Sequence, residues 1–416
     1  MSSRSLGFLK KPFFWWIASL LLIIAVGLAA AVKVFTQGLV VTNLTDLVPW
    51  GLWIGIDLSS VALSAGAFLL SAAVYLLGIK HLRPVARTAV YMGLIGYSMA
   101  VMTLLLDIGR PDRFWRAITN WNIHSPLWEV TMCVTIYLMV LALEVAPIIG
   151  KSDFMQKRWP GVGNHLSAIH AIAPLLAVLG LGLSMLHQSS LGATYGVLKA
   201  RPIWYRPGLA VLFIVSAMAA GPALVVFASA VSARLTPRAK INKDLLDQVS
   251  RFIGWVLVGY LYLRFWDALS MSYTYEPARS EGLIFLTKGP LALNFWGGEI
   301  ALGIIIPMVI LLNPNWRKMP RLQIPALALV VLGLVMYRWD TNMVGQLVVF
   351  NYMPQEFVPQ FTTYIPSLVE IAAGAGVIAV GLLVFTLGVR YLRIIDHSEV
   401  VVDEPVDMPI PAMSTD

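Results

Sequence analysis

The stretch "APLLAVLGLGLSMLHQSSLG", residues 173–192, decides how the chain is read. It belongs to an almost wholly apolar run that starts at Ala171. About twenty such residues, at ~1.5 Å rise each, cross the ~30 Å of hydrocarbon in a bilayer. A histidine, a glutamine and two serines then follow at once. The segment reads as a membrane span whose last turn carries polar chemistry.

The same pattern governs the rest of the chain. With 58% hydrophobic and 12% charged residues over 416 positions, and a mean hydropathy of +0.76, the charge needed to cover a soluble globule is missing. The expectation is an all-α integral membrane protein forming a single membrane domain over residues 1–416. A lone cysteine, Cys133 in an apolar stretch, supplies neither a disulfide framework nor a thiolate set for a metal or an iron–sulfur cluster. The net charge of +8 is what cytoplasmic loops of a membrane protein contribute, so no nucleic-acid partner is expected.

Ten spans are read near 14–35, 51–78, 88–108, 126–149, 165–187, 208–233, 250–272, 291–312, 323–341 and 367–391. The first follows Lys10 and Lys11 and resembles a signal peptide, but its apolar run is longer than the usual ~7–15 residues, which favours a retained anchor. With the N-terminus inside, nineteen Lys and Arg fall on cytoplasmic segments: Arg4, Lys10 and Lys11, then the clusters near 80–87, 151–158, 234–251, 317–321 and 390–393. Eight fall outside, among them Arg110, Arg113, Arg116, Lys199, Arg201 and Arg206. Both termini are therefore expected in the cytoplasm. The acidic, proline-containing tail 397–416 is expected to be disordered.

Depth can now be assigned to the embedded polar residues. Asp57 lies within the second span, Asp107 ends the third, Glu129 opens the fourth, and His187 ends the fifth. Arg264, Asp267, Glu299, Arg338, Asp340 and Glu370 also lie toward the extracytoplasmic ends. Charge in hydrocarbon costs ~2.5–3.5 kcal/mol or more, so this one-sided set points to a site. Simpler readings compete with that one. Asp340 and Glu370 could snorkel to the interface, Arg264 and Asp267 are spaced for a structural ion pair, and "HQSS" could cap a helix C-terminus. Asp57 is the hardest to dismiss. In "PWGLWIGIDL", residues 49–58, Trp50, Trp53, Ile54 and Asp57 fall on one helical stripe, with the carboxylate beneath aromatic rings.

Haem is ruled against by histidine spacing. His170 and His187 share one span about 25 Å apart, so no pair across helices is available for b-type ligation. Electrons would then have to be exchanged through a lipid-soluble carrier and a partner holding the metal centres.

At this point the motifs carry a resemblance. "PWGLWIGIDL", "GYSMAVMTLLLDIGR", "HSPLWEVTMC", "LALEVAP", "LHQSSLG" and "YLRFWDAL" resemble the polysulfide reductase NrfD-like family, on the branch of ten-helix membrane subunits found in periplasmic hydrogenases and menaquinone reductase complexes. The resemblance implies two four-helix bundles, here 50–187, with the quinone site, and 208–342, each side flanked by one helix. It implies a subunit without haem or iron–sulfur cluster of its own, using menaquinone or another quinone as substrate. A periplasmic iron–sulfur subunit would dock outside, with a further molybdopterin-type, cytochrome or hydrogenase subunit, all in a bacterial inner membrane. The family's proton and quinone positions fall on Asp57, Tyr97, Asp107, Glu129 and His187, with Gln188, Trp50 and Trp53 as further quinone contacts.

The mechanism this implies is a quinone reductase subunit. Electrons arrive from the external cluster while His187 and a carboxylate, Glu129 or Asp107, hydrogen-bond the quinone oxygens and exchange protons. Tyr97, about 15 Å deeper than Asp107, extends the proton path. Glu144 and His170, near the cytoplasmic ends of their spans, read first as structural polar groups and second as a proton intake. The exposed arginines in and just after "GRPDRFW", Arg110, Arg113 and Arg116, read as a docking surface for the partner or for lipid phosphates. Two other classes stay open. A secondary transporter would place its groups at the midplane of repeated halves, and a passive anchor would leave the embedded carboxylates unexplained.

Overall fold

A computed structural model of the chain describes residues 12–352, 357–392 and 394–397. Arg4, Lys10, Lys11, Arg393 and the tail after His397 lie outside the described residues. Among the described residues, ten helices are long and apolar enough to cross a membrane. They are α1 (Pro12–Gln37), α2 (Leu52–Tyr75), α3 (Arg83–Asp107), α4 (Pro126–Gly150), α5 (Ala173–Gly196), α6 (Gly208–Leu235), α7 (Lys243–Ser272), α8 (Leu293–Leu312), α9 (Pro320–Leu347) and α10 (Leu368–Leu387). Local sequence sets their starts. Ser125 caps α4 ahead of Pro126 at the first helical position. Ser367 and Glu370 cap α10 reciprocally, each side chain bonding the other's backbone N–H. α8 is π-wound over Leu293–Ile305 before it tightens.

The helices close into two rings of four. α2 packs on α3, α3 on α4, α4 on α5 and α5 back on α2, and α6 to α9 close in the same order. α2 and α6 join the rings. Their crossing is set by Gly66 and Gly221, since a methyl at the first would overlap the Ala217 carbonyl and one at the second the Gly66–Ala67 backbone. Small residues permit this approach where lipid gives no hydrophobic drive between helices. α1 and α10 pack together and lean on α3.

Successive helices alternate in direction, so the connections sort into two faces. One, here the long-loop face, carries 38–51, 108–125, 197–207, 273–292, 348–352 and 357–367, where β1 (Val348–Tyr352) pairs antiparallel with β2 (Phe357–Phe361). The other, the basic face, carries 76–82, 151–159, 236–242, 313–319 and 394–397.

Two span ends differ from the sequence reading for one physical reason. α5 does not end at His187 but continues to Gly196, which leaves the histidine about 14 Å inside the helix. α9 likewise runs past Arg338 and Asp340 to Leu347. Hydropathy treats such polar residues as a return to water, whereas here they are buried against protein. α2 starts at Leu52, so Trp50 precedes the helix and the stripe of the second span is Trp53 to Asp57.

Candidate functional site

The first ring encloses a polar centre. Tyr97 of α3 and His187 of α5 are both buried, and the tyrosine hydroxyl is hydrogen-bonded to Nδ1 of the histidine at 2.8 Å. Tyr137 of α4 stands edge-on to Tyr97 at 4.4 Å and to Phe68 of α2 at 5.7 Å. Each helix of the ring thus contributes one ring to the same layer. With Nδ1 committed to Tyr97, Nε2 is the imidazole nitrogen able to serve a further partner.

Two carboxylates accompany this dyad toward the long-loop face. Asp57 is 4% exposed and lies within electrostatic reach of Tyr97, Tyr195 and Asp107. Asp107 closes α3. Each has a buried Oδ1 that no donor satisfies, and such an oxygen needs a proton, a water or a ligand to offset its burial. Glu129 is half-buried in the first turn of α4. It shares a helical stripe with Cys133 and Tyr137, about 12 Å from the latter along the axis. Asp57, Tyr97 and His187 are therefore brought together, with Asp107 beyond Asp57 about 15 Å further along α3 from Tyr97 and Glu129 at the mouth of the same bundle.

The two tryptophans of "PWGLW" pack on the carboxylate side of the site rather than against the dyad, each on different elements. The Trp50 backbone is clamped by α9: its N–H donates to Gln346 Oε1 at 2.9 Å, and its carbonyl accepts from Asn342 and Gln346, both at 2.8 Å. Its ring stacks on Trp204 and meets Tyr195 edge-on. Arg201 seals this corner through the Leu47, Gly345 and Gln346 carbonyls, and burial pulls its guanidinium below the usual range. Trp53 packs among Val34, Leu106, Ala373 and Val377 and donates its indole N–H to the Glu370 carbonyl. Glu370 does not snorkel. It is fully buried and accepts from Asn43, Ser367 and Tyr364.

Several polar groups that the sequence singled out have partners it did not indicate. Gln188, next to His187, accepts from Arg338 of α9 at 3.1 Å, which joins the rings. Arg338 is fully buried, lies over the Phe213 ring, and forms no ion pair among the described residues. In the second ring Arg264 bridges Asp267 and Glu299, both at 2.8 Å, and Arg206 reaches Asp267 at 2.7 Å. The spacing of Arg264 and Asp267 signalled the first of these pairs only. Asp340 is buried and accepts from Asn294, so it does not snorkel either.

Comparison with known proteins places this arrangement. Residues 40–350 match the family described as polysulphide reductase, NrfD. The chain belongs to the NrfD polysulphide reductase family. This NrfD-family chain is 33% identical over 395 residues to the menaquinone reductase integral membrane subunit of Nitratidesulfovibrio vulgaris, covering 92% of each chain. It is 25% identical over 391 residues to the Hdr-like menaquinol oxidoreductase integral membrane subunit of Archaeoglobus fulgidus, covering 90% of this chain and 92% of the relative. It is 26% identical over 365 residues to a probable Ni/Fe-hydrogenase 2 b-type cytochrome subunit of Escherichia coli, covering 85% and 86%.

The last name raises b-type haem, and the histidines of this NrfD chain do not fit it. All six are described. His81, His165, His170 and His397 lie at the basic-face ends, and His124 lies in the 108–125 connection. His187 alone is held within a bundle, and its Nδ1 is bonded to Tyr97. No second imidazole faces it across a helix pair, as axial ligation would require.

Proposed function

We propose that this chain is the quinone-interacting membrane subunit of an oxidoreductase complex in a bacterial inner membrane, passing electrons to menaquinone. The long-loop face is taken as periplasmic, with an iron–sulfur subunit docked on it and a molybdopterin-type, cytochrome or hydrogenase subunit beyond. The basic face and both termini are taken as cytoplasmic. The menaquinone reductase and menaquinol oxidoreductase relatives support the class of complex, and the positive-inside asymmetry supports the orientation.

The observation that carries the reading is the buried Tyr97–His187 hydrogen bond, with Asp57 next to it and Asp107 beyond on the long-loop side, each with an Oδ1 that no donor satisfies. Quinone reduction takes two electrons and two protons. The partner's clusters supply the electrons, and this chain must supply the protons. The quinone head docks at the mouth of the first bundle, where Asp107 and Glu129 face its oxygens. Behind them His187 passes the proton on Nε2 outward toward these carboxylates, which have given theirs to the quinone oxygens, while Nδ1 takes one from the Tyr97 hydroxyl and Asp57 reprotonates Tyr97. The low-dielectric surroundings keep these exchanges within the chain rather than with bulk water. A transporter reading gains nothing from this one-sided placement, and a passive anchor leaves Asp57 and Asp107 without a role.

The test is quinone-dependent turnover of the assembled complex carrying Glu129→Gln or Asp107→Asn, which keep shape and remove the titrating group. Turnover is expected to fall by ~10²-fold or more in at least one of them, with cluster reduction from the soluble donor unchanged. Normal turnover in both would remove the site.

A further inference from the structure

A cavity of about 670 Å³ opens on the basic face, bounded by α2, α3, α4 and α5. It lies at the opposite end of the first bundle from Asp107 and Glu129, and the function proposed above makes no use of it. Its chemistry is layered. Glu144 of α4 lines it, roughly 9 Å inside the helix end. Both carboxylate oxygens of Glu144 are buried with no donor, as is the hydroxyl of Ser71 on α2. At the rim stand Arg83, at the start of α3, and Lys151, just after α4, with Arg87 one turn further in.

These groups define an occupant. Acceptors without donors at the depth of the cavity call for a ligand bearing N–H or O–H donors, best a cationic one against a carboxylate. Guanidinium and ammonium groups at the rim call for a phosphate. The rim also carries Asp153 and Asp396, so a bare anion would meet carboxylates as well as cations, whereas a zwitterion satisfies both signs. Leu143 lines the cavity while 41% exposed, which opens one wall to the lipid-facing side of α4, and Ile148 and Leu176 continue an apolar lining. Basic pockets between helices at a membrane face are where headgroups are held.

We infer that this cavity binds the headgroup of a phospholipid with a primary amine, its ammonium donating to Glu144 and Ser71 and its phosphate held by Arg83 and Lys151. The acyl chains leave past Leu143. Binding here ties the basic-face ends of α3 and α4 together and supplies donors to a buried carboxylate that otherwise has none.

The experiment uses the whole complex, washed in mild detergent and then exposed to vesicles of phosphatidylethanolamine, phosphatidylglycerol or phosphatidylcholine, with retained lipid counted by mass spectrometry. Phosphatidylethanolamine is expected to survive washing in the wild type and to drop about tenfold in Glu144→Gln, the scale of one charge-assisted hydrogen bond. Phosphatidylcholine lacks N–H donors and phosphatidylglycerol lacks a cation, so neither should replace it. Soluble phosphoethanolamine should not displace it, because the acyl chains contribute. Where Glu144→Gln does not assemble, Ser71→Ala combined with Lys151→Gln provides the same comparison. Equal retention in the variants, equal retention of all three lipids, displacement by soluble phosphoethanolamine, or no retained lipid in the wild type would each overturn the inference.

Discussion

Replacing Tyr97 by phenylalanine isolates one atom of the proposed proton path. The ring is fully buried and stands against Tyr137 at 4.4 Å, and phenylalanine keeps that packing. What disappears is the 2.8 Å bond to His187 Nδ1. Leaving that nitrogen buried and unsatisfied costs about 1–3 kcal/mol, which a ten-helix chain inside a complex tolerates, so assembly and cluster content should match the wild type. Function should respond on a different scale. A group that relays a proton contributes ~10²–10⁴-fold, equivalent to ~3–5 kcal/mol on the barrier. The assay is steady-state quinone reduction by the purified complex, normalised to clusters reducible by the soluble donor. Turnover that falls by less than about threefold, under ~1 kcal/mol on the barrier, with normal assembly would refute the relay and leave Tyr97 as a packing residue.

Other consequences can be checked separately. Gly66→Leu should prevent the two rings from closing, seen as loss of assembled complex, because the side chain meets the Ala217 carbonyl. Reversal of Arg110, Arg113 and Arg116 to glutamate should release the soluble partner at moderate salt while the membrane subunit stays folded, and an intact complex with unchanged salt sensitivity would remove that docking surface. His397, outside the spans, accepts from the Asn242 N–H, and burial pushes its imidazole down to about 4. Unfolded, it would bind a proton near pH 6.5, so between about 6.5 and 4 the unfolded segment holds more protons and docking weakens as pH falls, by up to roughly 3 kcal/mol. Protection factors at the Lys240 and His397 amides, which pair with Ile395 and Lys240, should fall as pH drops over that range once intrinsic exchange is divided out, and His397→Phe should abolish the dependence.

The spans were legible because twenty apolar residues have few alternatives, and Asp57, Asp107 and His187 stood out because each is an ionisable group where hydrocarbon was expected. Their grouping was not legible. Nothing in the spacing of Tyr97 and His187 says that α3 and α5 bring them to 2.8 Å, since that depends on how the ring closes. The end of α5 was misplaced because a polar side chain is scored as if it faced water, whereas His187 and Gln188 face tyrosine and arginine. Trp50 read as part of a helical stripe because periodicity cannot see that the chain turns at Gly51 before α2 begins. Arg338 stood out only as one of the ionisable groups toward one side. A single arginine near a predicted span end is ordinary, and only the fold reveals that it is buried over Phe213 and bound to Gln188.

The most direct test of the central claim is the pH profile of quinone-dependent turnover in the His187→Gln complex. Glutamine preserves a hydrogen-bonding group toward Tyr97 but cannot carry a proton through the ring. The account predicts an assembled complex whose clusters are reduced normally, whose turnover is lower by ~10²-fold or more, and whose profile loses a titration present in the wild type. Turnover and pH profile indistinguishable from wild type would contradict it.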